Sequence, residues 1–208
     1  MELEGPDGHR YFVALHDDVY RPADDSLLLA KAVHAEVRRG DRFLEVGCGA
    51  GYASLVAAHA GAKVVATDAN LHAVALARHN ARQNGFGLEV VETDLLAGLA
   101  GPFDVVAFNP PYLPTAPEDY VPGPLNLAFD GGADGNAVVL RFAEQVASLR
   151  PLPRCVLVVH STLSDPDPLR SALLAAGYRN DVAAEEAHAF ERLTVQRFRR
   201  TAGLERYR

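Results

Sequence analysis

The sequence predicts an α/β fold with a doubly wound, mostly parallel, seven-stranded sheet and a C-terminal antiparallel hairpin. Short apolar runs of strand length alternate with longer segments of helical periodicity, which is typical of parallel strands joined by helices. The last two strand-like runs follow each other across a short link, which favours a hairpin. The chain has 208 residues, 49% of them hydrophobic, and we expect one domain over residues 1–208.

Each predicted element follows from a local signal. Apolar runs between turn-forming residues predict strands at residues 42–46, 63–67, 88–91, 105–108, 155–159, 179–184 and 192–198. Helical periodicity predicts helices at residues 27–38, 52–60, 70–83, 135–149 and 168–176. Residues 11–15 indicate a further strand or a cover over the sheet edge. Residues 113–134 form a long proline-rich loop, which we expect to be a substrate-binding lip or lid.

The most informative stretch is residues 104–112, Asp-Val-Val-Ala-Phe-Asn-Pro-Pro-Tyr. Its two prolines end a strand, because each lacks an N–H and has a fixed φ. The Asn109 side chain and the Pro110 carbonyl therefore lie at a strand's carboxyl end, where ligands bind in open α/β sheets. These two acceptors can hold the N–H groups of an amide or exocyclic amino group, on which Tyr112 can stack. We predict that Asn109, Pro110 and Tyr112 are catalytic, and that Pro111 completes the substrate site.

A glycine turn follows the first central strand, with Gly47, Gly49 and Gly51 after Glu45. The third glycine of a dinucleotide-binding turn would fall at position 52, where this chain has tyrosine. The turn still lets the backbone of Gly47 and Gly49 approach a ligand closely. It therefore suits an amino-acid-bearing adenosine better than a pyrophosphate.

Acidic residues close the next two strands. Asp68 is placed to accept hydrogen bonds from ribose hydroxyls. Asp94 is placed to accept from an adenine amino group, with Leu95 against the ring. Each carboxylate alone is more typical of a loop cap or a solvated charge. With Glu45, however, three acids stand at the ends of successive strands, which favours a nucleoside site.

A helix start at residues 24–26 has two interpretations. Asp24, Asp25 and Ser26 are ordinary residues for the first turn of a helix. The same terminus offers free N–H groups to an anionic ligand group such as a carboxylate. Both interpretations are compatible, because a cap can also line a pocket.

Together these motifs resemble the class I S-adenosylmethionine-dependent methyltransferases that act on planar amino groups, which have a Rossmann-like fold. The motifs are Glu45-Val-Gly-Cys-Gly-Ala-Gly51, Asp68, Asp94 and Asn109-Pro-Pro-Tyr112. Three further stretches resemble the eukaryotic and archaeal branch of the HemK-type protein glutamine N5-methyltransferases. They are Val19-Tyr-Arg-Pro-Ala-Asp-Asp-Ser26, Phe129-Asp-Gly-Gly-Ala-Asp-Gly135 and Phe190-Glu-Arg-Leu-Thr-Val195.

The resemblance implies a cofactor, a substrate and a partner. S-adenosylmethionine would bind with its methionine portion at Ser26, Glu45 and Gly47, its ribose at Asp68, its adenine at Asp94 and Leu95, and its methyl group near Asn109. The substrate would be the glutamine amide in the Gly-Gly-Gln loop of a class I translation release factor, held by residues 109–112. The family often works as a heterodimer with a small zinc-ribbon activator protein, which would pair with the third strand, from Leu88 to Val91.

Other functions stay open from the sequence. An amino group of adenine, cytosine or guanine has similar geometry, although acting on duplex DNA requires base flipping and usually an extra recognition region. A protein lysine is another candidate substrate. Outside enzymes, the alternative is a methyltransferase-like fold kept as a binding module.

Composition and charge indicate which ligands the protein binds and in which compartment we expect it. The net charge of −7 does not favour nucleic-acid binding. Residues 191–208 hold six arginines against two glutamates, which we interpret as an edge strand kept soluble by charge. Cys48 and Cys155 do not suggest disulfides.

Without a signal peptide or membrane-length apolar run, we expect a soluble cytoplasmic protein. We expect no metal site, because His72 and His79 share a helical face typical of solvated surface.

Overall fold

The computed structural model describes residues 1–115 and 123–201. Its strands are β1 (Glu2–Glu4), β2 (Arg10–Phe12), β3 (Arg42–Val46), β4 (Lys63–Asp68), β5 (Glu89–Glu92), β6 (Val105–Phe108), β7 (Cys155–Ser161), β8 (Tyr178–Ala187) and β9 (Arg192–Arg200). Seven of them form one sheet in the order β5-β4-β3-β6-β7-β9-β8. β3 to β7 pair in parallel, and β9 pairs antiparallel with β7 and β8. The predicted fold class is confirmed.

Within residues 1–115 and 123–201, five α-helices connect the strands. They are α1 (Asp24–Glu36), α2 (Tyr52–His59), α3 (Leu71–Gln83), α4 (Ala137–Ser148) and α5 (Asp167–Ala175). A 3₁₀ turn, Pro124–Ala128, lies within the predicted lip, and residues 116–122 of that lip lie outside the described residues. In the described part of the chain, no helix is both long and apolar enough to cross a membrane.

The sheet is covered on both faces, which explains its nearly continuous apolar strands. Side chains of β6 alternate between the two layers. Val105 and Ala107 pack into the cluster formed with α1, α2 and α3. Val106 and Phe108 pack into the cluster formed with α4 and α5. A one-residue shift of β6 would exchange these two sets.

The site is positioned by the strand order. β3 lies near the centre, with β4 and β5 on one side and β6 on the other. The chain therefore reverses its direction of sheet growth at β3, and a crevice opens at the carboxyl ends of the strands there. The glycine turn after β3 and the Asn-Pro-Pro-Tyr motif after β6 meet at this crevice.

A small hairpin of β1 and β2 precedes the sheet. The sequence predicted only a single strand or cover at residues 11–15. Tyr11 is fully buried in the cluster with α1 and α2, while Phe12 is half exposed. Asn84, after α3, accepts from the Phe12 amide at 2.9 Å and donates to its carbonyl at 2.8 Å. The hairpin is thus attached to the sheet domain through α3.

The arginine-rich strand β9 is not an edge strand, and that prediction is wrong. β9 lies between β7 and β8, so β8 forms the edge. Arg197 and Arg199 donate to the same oxygen of Glu36 on α1, at 2.7 and 2.6 Å. Arg197 also pairs with Asp181 on β8. Because Glu36 is only 7% exposed, these arginines attach α1 to the sheet. Residues 202–208 of the tail lie outside the described residues.

Glu36→Gln should lower the free energy of unfolding by about 2–3 kcal/mol, because hydrogen bonds to a buried charged group contribute roughly that much. Urea denaturation followed by circular dichroism measures this change. Glu185→Gln is the matched control, since the Glu185–Arg192 pair is more than half exposed on both sides and should contribute at most about 1 kcal/mol. Equal losses in the two variants would contradict a special contribution from Glu36.

Candidate active site

The glycine turn between β3 and α2 depends on left-handed backbone. Gly47, Gly49 and Gly51 have φ values of 60°, 52° and 81°. A Cβ at Gly47 would also lie 3.0 Å from the Phe108 ring, so a side chain is excluded for two reasons. The Gly49 amide donates to Asp68 Oδ2 at 2.9 Å. The acid at the end of β4 therefore fixes the shape of the turn.

Two carboxylates face the crevice from adjacent strands, Glu45 buried and Asp68 partly buried. Glu45 accepts from the Ser54 amide at 2.8 Å and from the Ser54 hydroxyl. Burial raises the pKa of Glu45 to about 7, against these hydrogen bonds. Burial also raises the pKa of Asp68, although the Asn70 and Gly49 amides oppose it. Within the described residues, neither carboxylate accepts from a basic side chain, so the crevice favours a cationic ligand group.

Leu95 has a strained backbone at the wall of the crevice. Its φ of 55° is the only positive value at a non-glycine residue in the described chain. Thr67 Oγ1 donates to its carbonyl at 2.9 Å, and the Leu96 amide donates to Gln145 Oε1 at 2.8 Å. These contacts hold a conformation that an isolated leucine disfavours. The strain fixes the position of a side chain that is predicted to contact adenine.

Asp94 is paired in the structure. Both of its oxygens accept from Arg141 on α4, at 2.9 and 3.0 Å. Each oxygen keeps a second lone pair, so Asp94 can still accept from a ligand. Arg141 also lines the crevice, and nothing in the sequence pattern identified it as part of the site.

The decisive contact of the site joins Asn109 to Asp25. Asn109 Nδ2 donates to Asp25 Oδ2 at 2.9 Å. A carboxylate can only accept, so the amide orientation is chemically determined and Asn109 Oδ1 is the free acceptor. That atom is buried and has no hydrogen-bond partner among the described residues. An unpaired buried acceptor is costly, and it indicates that a ligand N–H belongs there.

Asp25 accepts two further hydrogen bonds, both from tyrosine side chains. The hydroxyls of Tyr20 and Tyr112 also donate to its Oδ2, at 3.2 and 3.5 Å. Burial, followed by the charge of Asp25, raises the pKa of both tyrosines. Both hydroxyls therefore stay protonated and able to donate. In the sequence, Asp25 is an ordinary residue of a helix start, and its tertiary partners give no local signal.

The Asn-Pro-Pro-Tyr backbone packs directly on the Phe129–Gly135 stretch. A Cβ at Gly131 would lie 2.8 Å from the Pro111 carbonyl oxygen, and one at Gly135 would lie 2.5 Å from that of Tyr112. The Gly131 amide donates to the Leu113 carbonyl at 3.1 Å. Only glycine permits such close approach of two backbones. The two stretches therefore form one unit.

The structure brings every predicted site residue to one cavity of about 600 Å³, a size typical of ligand sites. The residues are Ser26, Glu45, Gly47, Gly49, Asp68, Asp94, Leu95, Asn109, Pro110, Pro111 and Tyr112. The three further stretches also reach it, through Tyr20, Phe129 and Glu191. The Tyr20 and Phe129 rings meet edge to face at 5.6 Å. Part of the predicted lip, Pro124 to Asp130, lines the same cavity.

Comparisons with known proteins identify the family. Residues 21–120 match the profile of the methyltransferase small domain. A Methanocaldococcus jannaschii protein, named as a candidate protein N5-glutamine methyltransferase, is 38% identical over 94% of this chain and 96% of its own. Methyltransferase HEMK2 of Mus musculus is 34% identical over 87% of this chain and 89% of its own. The chain belongs to the HemK-type protein glutamine N5-methyltransferases.

A solved structure agrees on the fold. The E. cuniculi Mtq2–Trm112 complex, described as responsible for methylation of the termination factor eRF1, has a chain with a TM-score of 0.71 and 24% identity. The match covers 88% of this chain and 99% of that chain. As a HemK-type enzyme, the protein is an S-adenosylmethionine-dependent methyltransferase. The carboxylates of Glu45 and Asp68 and the open glycine turn fit that cofactor, which carries an ammonium and a sulfonium group.

In this HemK-type enzyme, Glu45 should make the fold less stable as pH rises. The folded state holds the Glu45 proton up to a pKa of about 7, against an ordinary value of 4.5. Between those pH values the folded chain binds more protons than the unfolded chain, so its stability falls as pH increases. Glu45→Gln removes this titration. From about pH 4 to about pH 8, the variant should therefore gain up to about 3 kcal/mol relative to the wild type.

Urea denaturation of both proteins at a series of pH values measures that difference. If the two stability curves ran parallel across the window, Glu45 would not carry a raised pKa in the folded state.

Proposed function

We propose that the enzyme methylates the side-chain amide nitrogen of a glutamine in a protein, within the Gly-Gly-Gln loop of a class I translation release factor. The observation that carries this proposal is the buried, unpaired Asn109 Oδ1 at the cavity wall. A primary amide presents two N–H groups on a flat nitrogen, which matches a pair of acceptors. The printed names of the relatives, a protein N5-glutamine methyltransferase and a complex methylating eRF1, support the same substrate.

Asn109 and Pro110 would act on the amide nitrogen. Its lone pair is delocalised into the carbonyl, which makes the nitrogen a poor nucleophile. Acceptors at Asn109 Oδ1 and the Pro110 carbonyl favour positive charge on the nitrogen as it attacks, so they stabilise the transition state more than the ground state. Tyr112 and Pro111 would bound the flat amide and keep it oriented toward the methyl group.

Asp25 would position these acceptors. Its bond to Asn109 Nδ2 holds the amide plane with Oδ1 toward the cavity. Because Asp25 is 4% exposed and also accepts from Tyr20, the side chain of Asn109 cannot rotate without breaking a buried, charge-assisted hydrogen bond. Asp25 is therefore a positioning residue rather than a catalytic one.

The cofactor would be held by the remaining predicted residues. When bound, S-adenosylmethionine supplies an electrophilic methyl group on a positively charged sulfur. Glu45 and Ser26, with the Gly47 and Gly49 backbone, would hold its amino-acid portion. Asp68 would accept from the ribose hydroxyls, while Asp94 and Leu95 would hold the adenine.

The edge strand β5 would bind a small zinc-ribbon activator protein. β5 has β4 as its one neighbour in the sheet order, so half of its backbone groups are open to another strand. Val90 is buried and Val91 half buried, which leaves an edge that a partner strand could extend. The neighbouring E. cuniculi structure is a complex with Trm112, which supports a partner of this kind.

The substrate can be tested directly. The purified enzyme should transfer label from S-adenosylmethionine to a release factor and add the mass of one CH₂ group to its Gly-Gly-Gln peptide. The zinc-ribbon protein is added in parallel reactions. A factor with Gln→Ala in that loop should take no label. Label found only in total RNA, or only on lysine, would overturn the glutamine assignment while leaving the cofactor site intact.

Asn109→Ala should reduce the rate of methyl transfer by about 10²–10³-fold, as expected for loss of one preorganised group at the transition state. Asp25→Ala should cost about a hundredfold, because it misplaces Asn109. Asp24→Ala is the matched control, since Asp24 occupies the same helix turn but is exposed. Single-turnover rates, measured with the dissociation constant of S-adenosylhomocysteine, separate catalysis from cofactor binding.

In both Asn109→Ala and Asp25→Ala, the dissociation constant should change far less than the rate. Equal losses in rate and affinity would remove Asn109 from the catalytic role and Asp25 from the positioning role.

A further inference from the structure

Three potential metal ligands converge at the rim of the active-site cavity. His16 and Asp18 belong to the segment between β2 and α1, and His72 lies in the first turn of α3. One ligand atom from each lies within 4.8 Å of the others. Asp18 Oδ2 is 3.9 Å from His16 Nδ1 and 3.7 Å from His72 Nε2. The two imidazole rings lie nearly parallel, with centroids 4.6 Å apart.

These separations suit an intervening ion better than direct contact. They are longer than charge-assisted hydrogen bonds, which measure about 2.7–2.9 Å. Two ligand atoms bound to Zn²⁺ at about 2.0–2.2 Å lie roughly 3.3–4.2 Å apart, depending on the angle at the metal. Both distances from Asp18 fall in that range. We propose that His16, Asp18 and His72 form a site for a divalent transition-metal ion.

The donor set selects the class of ion. Two imidazole nitrogens and one carboxylate oxygen suit Zn²⁺, Co²⁺ or Ni²⁺, whereas Mg²⁺ and Ca²⁺ prefer oxygen ligands alone. All three side chains are between 42% and 48% exposed, so water can complete the coordination. The same exposure lets the side chains rotate, so that ligand atoms up to 4.8 Å apart can approach the same ion.

Metal binding at this site would replace one existing hydrogen bond. The Asp18 amide donates to His16 Nδ1 at 3.1 Å, and coordination at that nitrogen exchanges the hydrogen bond for a metal bond. The sequence predicted no metal site, since His72 and His79 share a helical face typical of solvated surface. The structure instead places His72 beside His16, which lies 56 positions earlier in the chain.

Asn70 connects this metal site to the cofactor cavity. Its Nδ2 donates to the Asp18 carbonyl at 2.7 Å, and its Oδ1 accepts from the His72 amide at 3.0 Å. Its own amide donates to Asp68 Oδ1 at 2.8 Å. Asp18 and the two residues after it line the cavity. An ion would therefore fasten one cavity wall to α3, and metal and cofactor would each increase the affinity for the other.

Calorimetric titration of the purified full chain with ZnCl₂ tests the site. We expect one ion per chain. His16→Ala and His72→Ala should each weaken binding by at least about tenfold, because loss of even an outer-shell partner costs that much. His79→Ala is the matched control, as it is an exposed histidine on the same helix, and it should bind Zn²⁺ like the wild type. No binding, or equal binding in all variants, would overturn the proposal.

Two further measurements sharpen the result. Co²⁺ bound at the site should show visible bands of nitrogen and oxygen ligation without thiolate charge transfer, whereas a thiolate band would assign the ion to a cysteine and contradict the site. Zn²⁺ should tighten S-adenosylhomocysteine binding in the wild type and in His79→Ala, but not in His72→Ala. Equal tightening in all three would overturn the link through Asn70. Neither measurement depends on the identity of the methylated substrate.

Discussion

The hydrogen bond between Asn109 and Asp25 is the constraint on which the active site depends. It joins residues 84 positions apart and can form only if α1 is docked on the sheet and β6 ends at Phe108. The ion pairs from Glu36 to Arg197 and Arg199 hold the other end of α1. One helix is therefore attached to the sheet at its start through Asn109, the proposed catalytic residue, and at its end through Arg197 and Arg199.

Most of the sheet could be predicted because its central strands are buried on both faces. Such strands give continuous apolar runs, and glycine, asparagine or proline marks their ends. The predicted bounds of β3 and β6 therefore coincide with the observed ones. The β1–β2 hairpin gave weaker signals, since its outer positions are polar or exposed. The position of β9 was mistaken because arginines on an internal strand look the same in sequence as arginines on an edge. Only tertiary structure shows that Glu36 lies opposite them.

The predicted site residues all reach one cavity because each stands at the end of a parallel strand or the start of a helix, and these ends meet at one edge of the sheet. What escaped prediction depends on contacts between distant segments. Asp25 accepts a hydrogen bond from Asn109, Arg141 on α4 pairs with Asp94, and Thr67 donates to the carbonyl of Leu95, which has a left-handed conformation. None of these partners has a fixed spacing in the sequence.

The glycines of the Phe129–Gly135 stretch have a mechanical consequence. Because no side chain separates Gly131 and Gly135 from the Pro111 and Tyr112 carbonyls, displacement of one backbone must displace the other. The same stretch continues into the part of the lip that lines the cavity. A polypeptide that displaced the lip would therefore shift the backbone that carries Asn109 and Pro110, the proposed acceptors. Contact at the rim of the cavity and geometry at the proposed reaction centre are therefore coupled, so that binding of a whole substrate loop would alter the position of a single acceptor atom.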